Sequence, residues 1–301
     1  MDAIKQLDSS SVIDRDRRRQ GKSGFGRGFL TLVGLSVAAL VIGVVLLIVV
    51  RGISIVNLEF LTQGPRDNMQ KGGIAPMIRG SFYLLAGTLG LTLPLGVLGG
   101  IYLAEYAGSK RWVSLLKSIV MSLAGTPSII YGLFGFAVYV LIITRQSTLM
   151  AGILTLATMA LPIVVLSTEA AIRAVPQSQL DGAYALGLTK WQTIWSVVLP
   201  QALPGILTGV ILASGRAMGE APPILLTAGI FYTTIQPNFT EILSKPVMNL
   251  PYHVTEAIKQ SSTFSEGQVW GTCLVLLCFM LLLNLVAIVL RSRYRRMKVG
   301  H

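Results

Sequence analysis

Two side chains of opposite charge, Arg216 and Glu220, follow a long apolar stretch in which no Asp, Glu, Lys or Arg occurs from Trp191 to Gly215. On a helix, Arg216 would lie ~24 Å from Pro200, far from the membrane surface at the Pro200 end. If the stretch crosses a membrane, a charge at this depth is costly and is a candidate for function. The arginine fork can bind two oxygens of an oxyanion or of a carboxylate. We therefore interpret Arg216 and Glu220 as translocation or gating residues, or alternatively as a pair that only neutralises itself one helical turn apart.

Arg173 is a third candidate for the same pathway or gate. It lies five residues beyond the uncharged stretch Gln146–Thr168. A basic residue is also expected at this end of a membrane span for reasons of orientation alone. Glu105 and Glu169 lie near the ends of their own apolar stretches, and we interpret both as interfacial or packing partners.

The sequence lacks the residues of several common chemistries. It contains no G-x-x-x-x-G-K-[ST] phosphate loop, so ATP hydrolysis is not expected of this chain. His253 and His301 are isolated from each other and from any apolar stretch, which makes a metal site or a Ser–His hydrolase unexpected. Cys273 and Cys278 are five residues apart, too distant on a helix to form a disulfide. We expect no cofactor and no metal.

Segment 174–200 has the pattern of two short helices joined by a turn. Pro176 is expected to end the apolar helix before it. Ser178 precedes Asp181 by three residues, a spacing that favours a capping box at the start of the first short helix. Gly187 is the residue type expected just beyond its end.

The second short helix of this segment begins at another capping box. Thr189 and Gln192 have the required spacing, and apolar residues recur at helical intervals after them. Pro200 is expected to interrupt this helix. The segment is either an interfacial elbow that reconnects two apolar helices or a docking element, since Gly182 and Gly187 leave room for a partner surface.

The composition places these residues in a membrane protein. Of the 301 residues, 52% are hydrophobic and 13% are charged, about half the ~25% charge of a soluble domain. Six uncharged stretches each exceed the ~20 residues that a helix needs to cross a bilayer, and they do not alternate in polarity as barrel strands do. We predict an all-α membrane protein with six transmembrane helices, at about 29–50, 79–106, 114–143, 149–173, 201–220 and 268–290.

The basic residues indicate the orientation of these helices. The net charge is +12, and arginines and lysines are concentrated before Gly28 and after Leu290. Basic flanks lie on the cytoplasmic side, so both termini are predicted to be cytoplasmic and no nucleic-acid partner is needed to explain the charge. Residues 1–28 are expected to be a basic, disordered cytoplasmic tail, and 29–301 a single six-span domain.

The segment after Pro176 carries a family resemblance. It resembles the EAA loop of bacterial ABC importer permeases, whose pattern is Glu-Ala-Ala, three residues, Gly, nine residues, Ile, one residue, Leu-Pro. Segments 72–107, 122–140 and 215–229 are also similar to phosphate importer permeases of the Pst type, A subunit. The residues aligned with the EAA pattern are Asp181, Gly182, Ala183, Gly187, Val197, Leu199 and Pro200, of which Asp181 and Gly182 depart from it and Val197 is a conservative replacement.

The resemblance implies a type I ABC importer in a bacterial cytoplasmic (inner) membrane. In that architecture the chain is a multi-pass permease subunit beside a second permease, giving a heterodimer. Two ATPase subunits dock on segment 174–200, the coupling loop, and an external binding protein delivers phosphate. The resemblance also links Arg216 and Glu220 to transport, and the family has a basic residue at the position of Arg173.

Other functions remain open at this stage. The substrate could be another oxyanion, such as molybdate or sulfate. An ion-coupled secondary transporter is a different class, but it often shows inverted repeats, which this sequence lacks. An intramembrane enzyme would need a nucleophile with its base, or metal ligands, at membrane depth.

Overall fold

The computed structural model describes residues 28–66, 71–108, 111–233, 241–259 and 266–299. The predicted tail, 1–28, lies outside the described residues except for Gly28, which begins the first helix. Within these ranges the helices are α1 (Gly28–Gly52), α2 (Leu58–Thr62), α3 (Ala75–Ile101), α4 (Arg111–Ala124), α5 (Ser128–Gly135), α6 (Leu149–Arg173), α7 (Gln177–Ala185), α8 (Lys190–Thr193), α9 (Leu199–Gly219), α10 (Pro222–Thr227), α11 (Leu250–Lys259) and α12 (Glu266–Val299).

Shorter elements extend or connect these helices. Three π-helical stretches continue α3 (Tyr102–Tyr106), continue α5 (Phe136–Thr144) and join α8 to α9 (Ile194–Val198), and a 3₁₀ turn covers Ile242–Ser244. Two short strands, β1 (Pro65–Arg66) and β2 (Lys71–Gly72), pair antiparallel. Helices satisfy their own backbone hydrogen bonds, as the interior of a bilayer requires.

Within the described residues, five helices are long and apolar enough to cross a membrane, and one bent pair of helices passes the same test when its two halves are taken together. This confirms the predicted all-α fold. The five agree with the predicted spans one, two, four, five and six, although the fifth starts earlier than expected. They are Gly28–Gly52, Ala75–Tyr106, Leu149–Arg173, Lys190–Gly219 and Glu266–Arg293.

The third predicted span, 114–143, is wrong as a single continuous helix. Its two halves, Arg111–Ala124 and Ser128–Thr144, are bent by 100°. Pro127 has extended backbone angles (φ −57°, ψ 140°) at the start of α5. Its ring also disfavours helical geometry at Thr126, so the chain turns at this point. None of the described residues of α4 is buried, whereas α5 packs into the core through Tyr131.

Helix α6 is the centre of the fold because small residues bring its neighbours close. A Cβ at Gly96 of α3 would lie 2.7 Å from Val164 Cγ1, and one at Gly205 of α9 would lie 2.6 Å from Ala171 Cβ. Small residues permit such close approach between helices in a membrane. Helix α6 therefore holds α3 and α9 in fixed positions on either side.

The two ends of α3 contact different parts of the chain. Ser81 Oγ, near its start, accepts a hydrogen bond from Leu250 N of α11 at 2.9 Å. At its other end Glu105 contacts Lys190 of the coupling loop. The helix with its π-helical extension has 32 residues, about 48 Å in length. Helix α11 and the coupling loop thus lie at opposite ends of the helix bundle.

Candidate functional site

Arg216 and Glu220 are brought together at the end of α9. The helix ends at Gly219, and Glu220 has extended backbone angles (φ −86°, ψ 117°) directly after it. Arg216 Nε lies 3.6 Å from Glu220 Oε1, and the two side chains are 28% and 18% exposed. The predicted ion pair is present, but Arg216 lies in the last turn of α9 whereas Glu220 lies just beyond its end.

Arg216 also binds the break in the third span. Its Nη1 donates to Ala124 O at 3.1 Å and its Nη2 donates to Thr126 O at 3.3 Å. The last carbonyls of a helix have no intrahelical donor, and a cation near them is favourable. Tyr131 Oη donates to Leu123 O at 2.8 Å at the same place. Sequence reasoning missed these contacts, because a backbone acceptor has no residue signature.

Arg173 lies in a second charged group, the Glu169 cluster, which consists of Lys117, Glu169 and Arg173. Glu169 is only 3% exposed, and its Oε1 accepts from Lys117 Nζ at 2.9 Å and from Arg173 Nε at 2.8 Å. Arg173 Nη2 also donates to Leu103 O at 3.2 Å, in the π-helical end of α3. Burial of a carboxylate is costly unless cations compensate its negative charge, and removing a cation leaves that charge uncompensated in the interior.

The sequence identified only part of the Glu169 cluster. The sequence predicted Glu169 to be an interfacial or packing partner, and it assigned no role to Lys117. The spacing of Glu169 and Arg173 on one helix was a usable signal for their pairing. Helix α4 contacts both charged groups, through Lys117 at its middle and through the carbonyl of Ala124 at its end.

The first helix of the coupling loop ends as predicted but begins differently. The predicted capping box of Ser178 and Asp181 is wrong, since α7 starts at Gln177 and no side chain caps its N-terminus. Ser178 is therefore already inside the first turn, and Gln177 Nε2 donates to Asp181 Oδ1 at 3.1 Å.

The turn at Gly187 is confirmed. Gly187 has φ +80°, a conformation that side chains other than glycine rarely adopt. Its N donates to Tyr184 O at 2.9 Å, and Leu188 N donates to Ala183 O at 3.2 Å. These two bonds form a Schellman motif, which satisfies the last carbonyls of α7.

The second capping box is confirmed, but the predicted interruption at Pro200 is wrong. Thr189 N donates to Gln192 Oε1 at 2.9 Å, and Gln192 N donates to Thr189 Oγ1. The helix then runs without a break from Lys190 to Gly219. A π-helical stretch directly before Pro200 changes the hydrogen-bond spacing there, which relieves the clash of the proline ring with the preceding turn.

The coupling-loop candidates divide into exposed and anchoring residues. Asp181, Gly182 and Gly187 are exposed, whereas Ala183 is buried and Val197, Leu199 and Pro200 are partly buried. Apart from the adjoining backbone, no atom of the described residues lies within 4 Å of a Cβ built at Gly182 or Gly187. Large apolar side chains stand out beside them, with Leu186 84% and Trp191 59% exposed. The loop therefore presents an apolar surface with room for close approach.

Lys190, at the start of α8, ties the coupling loop to the end of α3. Its Nζ lies 3.8 Å from Glu105 Oε2 and donates to Glu105 O. It also lies 4.7 Å from the centre of the Tyr106 ring, a favourable cation–π geometry. Glu105 is thus the interfacial partner that the sequence suggested.

Comparisons with known proteins bear on this arrangement. A family model described as binding-protein-dependent transport system inner membrane component matches residues 96–296. The chain is 37% identical over 274 residues to the phosphate transport system permease protein PstA of Yersinia pestis, covering 86% of this chain and 88% of that one. It is 37% identical to the probable ABC transporter permease protein YqgI of Bacillus subtilis over 214 residues, covering 71% and 72%. In structure it is similar to the inward-facing MetNI methionine ABC transporter, with a TM-score of 0.57, 19% identity and coverage of 73% and 97%.

Proposed function

Since the chain belongs to the family of binding-protein-dependent transport system inner membrane components, and is a permease of an ABC importer, we propose that its substrate is inorganic phosphate. An external binding protein delivers the phosphate, and two separate ATPase subunits supply the energy. A second, different permease completes the pathway. The observation that carries the proposal is the 37% identity with a phosphate transport system permease over 86% of this chain.

The charged groups of the chain suit an anionic substrate. The Glu169 cluster has two cations for one carboxylate. Arg216 has a planar fork of donors that matches phosphate oxygens. In this conformation, however, Nε, Nη1 and Nη2 are all engaged by Glu220 and by the carbonyls of Ala124 and Thr126. We therefore assign Arg216 and Glu220 to gating the break between α4 and α5, and Arg173 to the same pathway.

The coupling loop is proposed as the ATPase docking element. Its exposed apolar side chains surround the open positions at Gly182 and Gly187, as a partner surface requires. Asp181 is also exposed, whereas Ala183 is buried and Val197, Leu199 and Pro200 are partly buried. Leu199 packs against the apolar cluster that includes Leu180 and Ile194. With the loop on the cytoplasmic side, both termini are also assigned to the cytoplasm, in agreement with their basic residues.

Co-purification from membranes tests the proposed assembly. A tagged chain extracted in mild detergent should bring with it an ATPase and a second permease. Proteoliposomes of that complex, supplied with the binding protein, should take up phosphate, and excess molybdate or sulfate should not compete. Competition by either anion would contradict phosphate as the specific substrate and favour a permease for another oxyanion. Recovery of the chain without an ATPase would contradict the ABC assignment of its partners.

A further inference from the structure

We infer that Glu169 is a positioning residue that transmits movement of the coupling loop to α4 and so to the break that Arg216 binds. The inference rests on the proposed function, which places the ATPase at the coupling loop and a gate at Arg216. Its basis is a series of ion pairs and hydrogen bonds, joined through the backbone of α3, that leads from α8 through α3 and α6 to α4.

The first contact joins the coupling loop to α3. Lys190 binds the carboxylate and the carbonyl of Glu105 and covers the ring of Tyr106. Three interactions from one side chain restrain both the position and the direction of this helix end. A displacement of α8 is therefore carried to the π-helical stretch Tyr102–Tyr106.

The second contact joins that stretch to α6. Leu103 lies in the last turn, where carbonyls have no intrahelical donor, and its oxygen accepts from Arg173 Nη2 at 3.2 Å. Stretches of π-helix are frequent at functional sites. Because Arg173 Nε binds Glu169 at the same time, the end of α3 and the buried carboxylate share one guanidinium group.

The third contact joins α6 to α4. Lys117 Nζ and Arg173 Nε donate to the same oxygen atom, Glu169 Oε1. A change in the position of one cation therefore alters the bond to the other. Lys117 and Arg173 are 41% and 54% exposed while Glu169 is 3% exposed, so the carboxylate is a fixed centre about which the two cations can rearrange.

The last step runs along α4 itself. No described residue of α4 is fully buried, and its apolar contact with the bundle runs through partly buried side chains such as Val113 and Val120. Its middle is held by Lys117 and its end by the hydrogen bond from Arg216 to Ala124 O. Movement at Lys117 therefore alters the geometry of the break and its binding to Arg216. Such a series of contacts is a coupling path only if a displacement of the coupling loop is accompanied by a displacement of α4 at the break. The distance between the coupling loop and α4 measures this.

A distance measurement between the two ends tests this inference directly. Cys273 and Cys278 are first replaced by serine, and spin labels are placed at Gln179 in the coupling loop, which is exposed and lies outside the apolar docking surface, and at Trp112 in α4, which is 75% exposed. The complex with its ATPase and binding protein is measured with and without ATP. We expect an ATP-dependent distance change in the otherwise unmodified chain and its loss in Lys117→Met, which keeps the bond between Glu169 and Arg173.

Transport per ATP gives the second readout in the same complexes. Lys117→Met should hydrolyse ATP at close to the normal rate but move about tenfold less phosphate per ATP, a coupling loss of ordinary allosteric size. Glu169→Gln should have the same effect, and the double variant should be no worse than either single one, as for residues that act as a unit. Lys259→Gln, an exposed substitution on α11, should change neither readout.

The possible outcomes separate the inference from the function on which it rests. A distance change that persists in Lys117→Met, or normal transport per ATP in that variant, overturns the inference alone. A variant whose only defect is a smaller amount of assembled complex also overturns it, since the cluster is then merely structural. Absence of any ATP-dependent change in the unmodified complex contradicts the proposed function and removes the inference with it.

Discussion

Arg216 of α9 donates a hydrogen bond to the backbone carbonyl of Ala124, 3.1 Å away and 92 residues earlier in the chain. The bond joins the end of the fifth span to the break in the third. The guanidinium group of Arg216 contacts both the carbonyls of the break and the carboxylate of Glu220.

The first prediction concerns the shape of this cation. In Arg216→Lys a single ammonium group cannot reproduce the three separate contacts, so uptake per assembled complex should fall nearly as far as in Arg216→Gln, by about tenfold or more. The protein should still be present in the membrane. Phosphate uptake divided by the amount of complex measures this effect.

A double variant is the matched control for Arg216. If the residue only neutralises Glu220, Arg216→Gln should lower the amount of folded protein, and Arg216→Gln with Glu220→Gln should restore it. Near-normal uptake per complex in Arg216→Gln would remove the residue from the gate and leave it a packing residue.

The second prediction concerns the turn of the coupling loop. Gly187→Val forces a β-branched residue into φ +80°, at a strain of about 1–3 kcal/mol. Binding of the ATPase should then weaken by about tenfold, which corresponds to 1.4 kcal/mol, while membrane insertion is unchanged. Gly187→Asn, which tolerates this conformation, should retain more binding. Equal co-purification of the ATPase with all three chains would show that the loop is only a connector.

The third prediction concerns topology. Single cysteines at Ser178 and Lys259, both exposed, should be labelled from opposite sides of the membrane by an impermeant reagent, after Cys273 and Cys278 are replaced by serine. Ser178 belongs to the coupling loop and Lys259 to α11, which contact opposite ends of α3. Labelling of both from one side would overturn the orientation and the docking assignment.

The fourth prediction concerns pH and the face opposite the coupling loop. Burial of His253 in α11 lowers its pKa from 6.5 to about 4. The unfolded chain therefore binds a proton that the folded chain does not between these values. Stability from this residue is complete above about pH 6.5 and is lost as pH falls toward 4, by up to about 3 kcal/mol. Thermal unfolding of the purified chain should show this slope, and His253→Gln should flatten it; an identical slope in both would contradict the assignment.

The sequence was informative where local rules decide the structure. Lipid requires long uncharged helices, so five spans were predicted to within a few residues at most ends. Hydrogen bonds between near neighbours made the Gly187 turn and the box of Thr189 and Gln192 predictable. Pro127 lies at the break in the third span, but a proline in an apolar stretch does not by itself determine a bend of 100°.

Long-range contacts account for what the sequence did not show. Lys117 and Glu169 are 52 residues apart, and their pairing depends on how α4 lies against α6. The partners of Arg216 in α4 and at the break are backbone oxygens, which every residue offers. The helix continues through Pro200 because the π-helical stretch before it changes the hydrogen-bond spacing and so accommodates the proline ring. No residue pattern in the sequence predicted that stretch.

The most direct test of the account is the energy source of phosphate uptake. In cells whose phosphate uptake depends on this chain, ATP depletion should abolish uptake, while an ionophore that collapses the ion gradients at maintained ATP should leave most of it intact. That result is expected because the chain is assigned to an ATP-driven importer. Uptake that survives ATP depletion and stops with the ion gradient would contradict the account and favour an ion-coupled transporter.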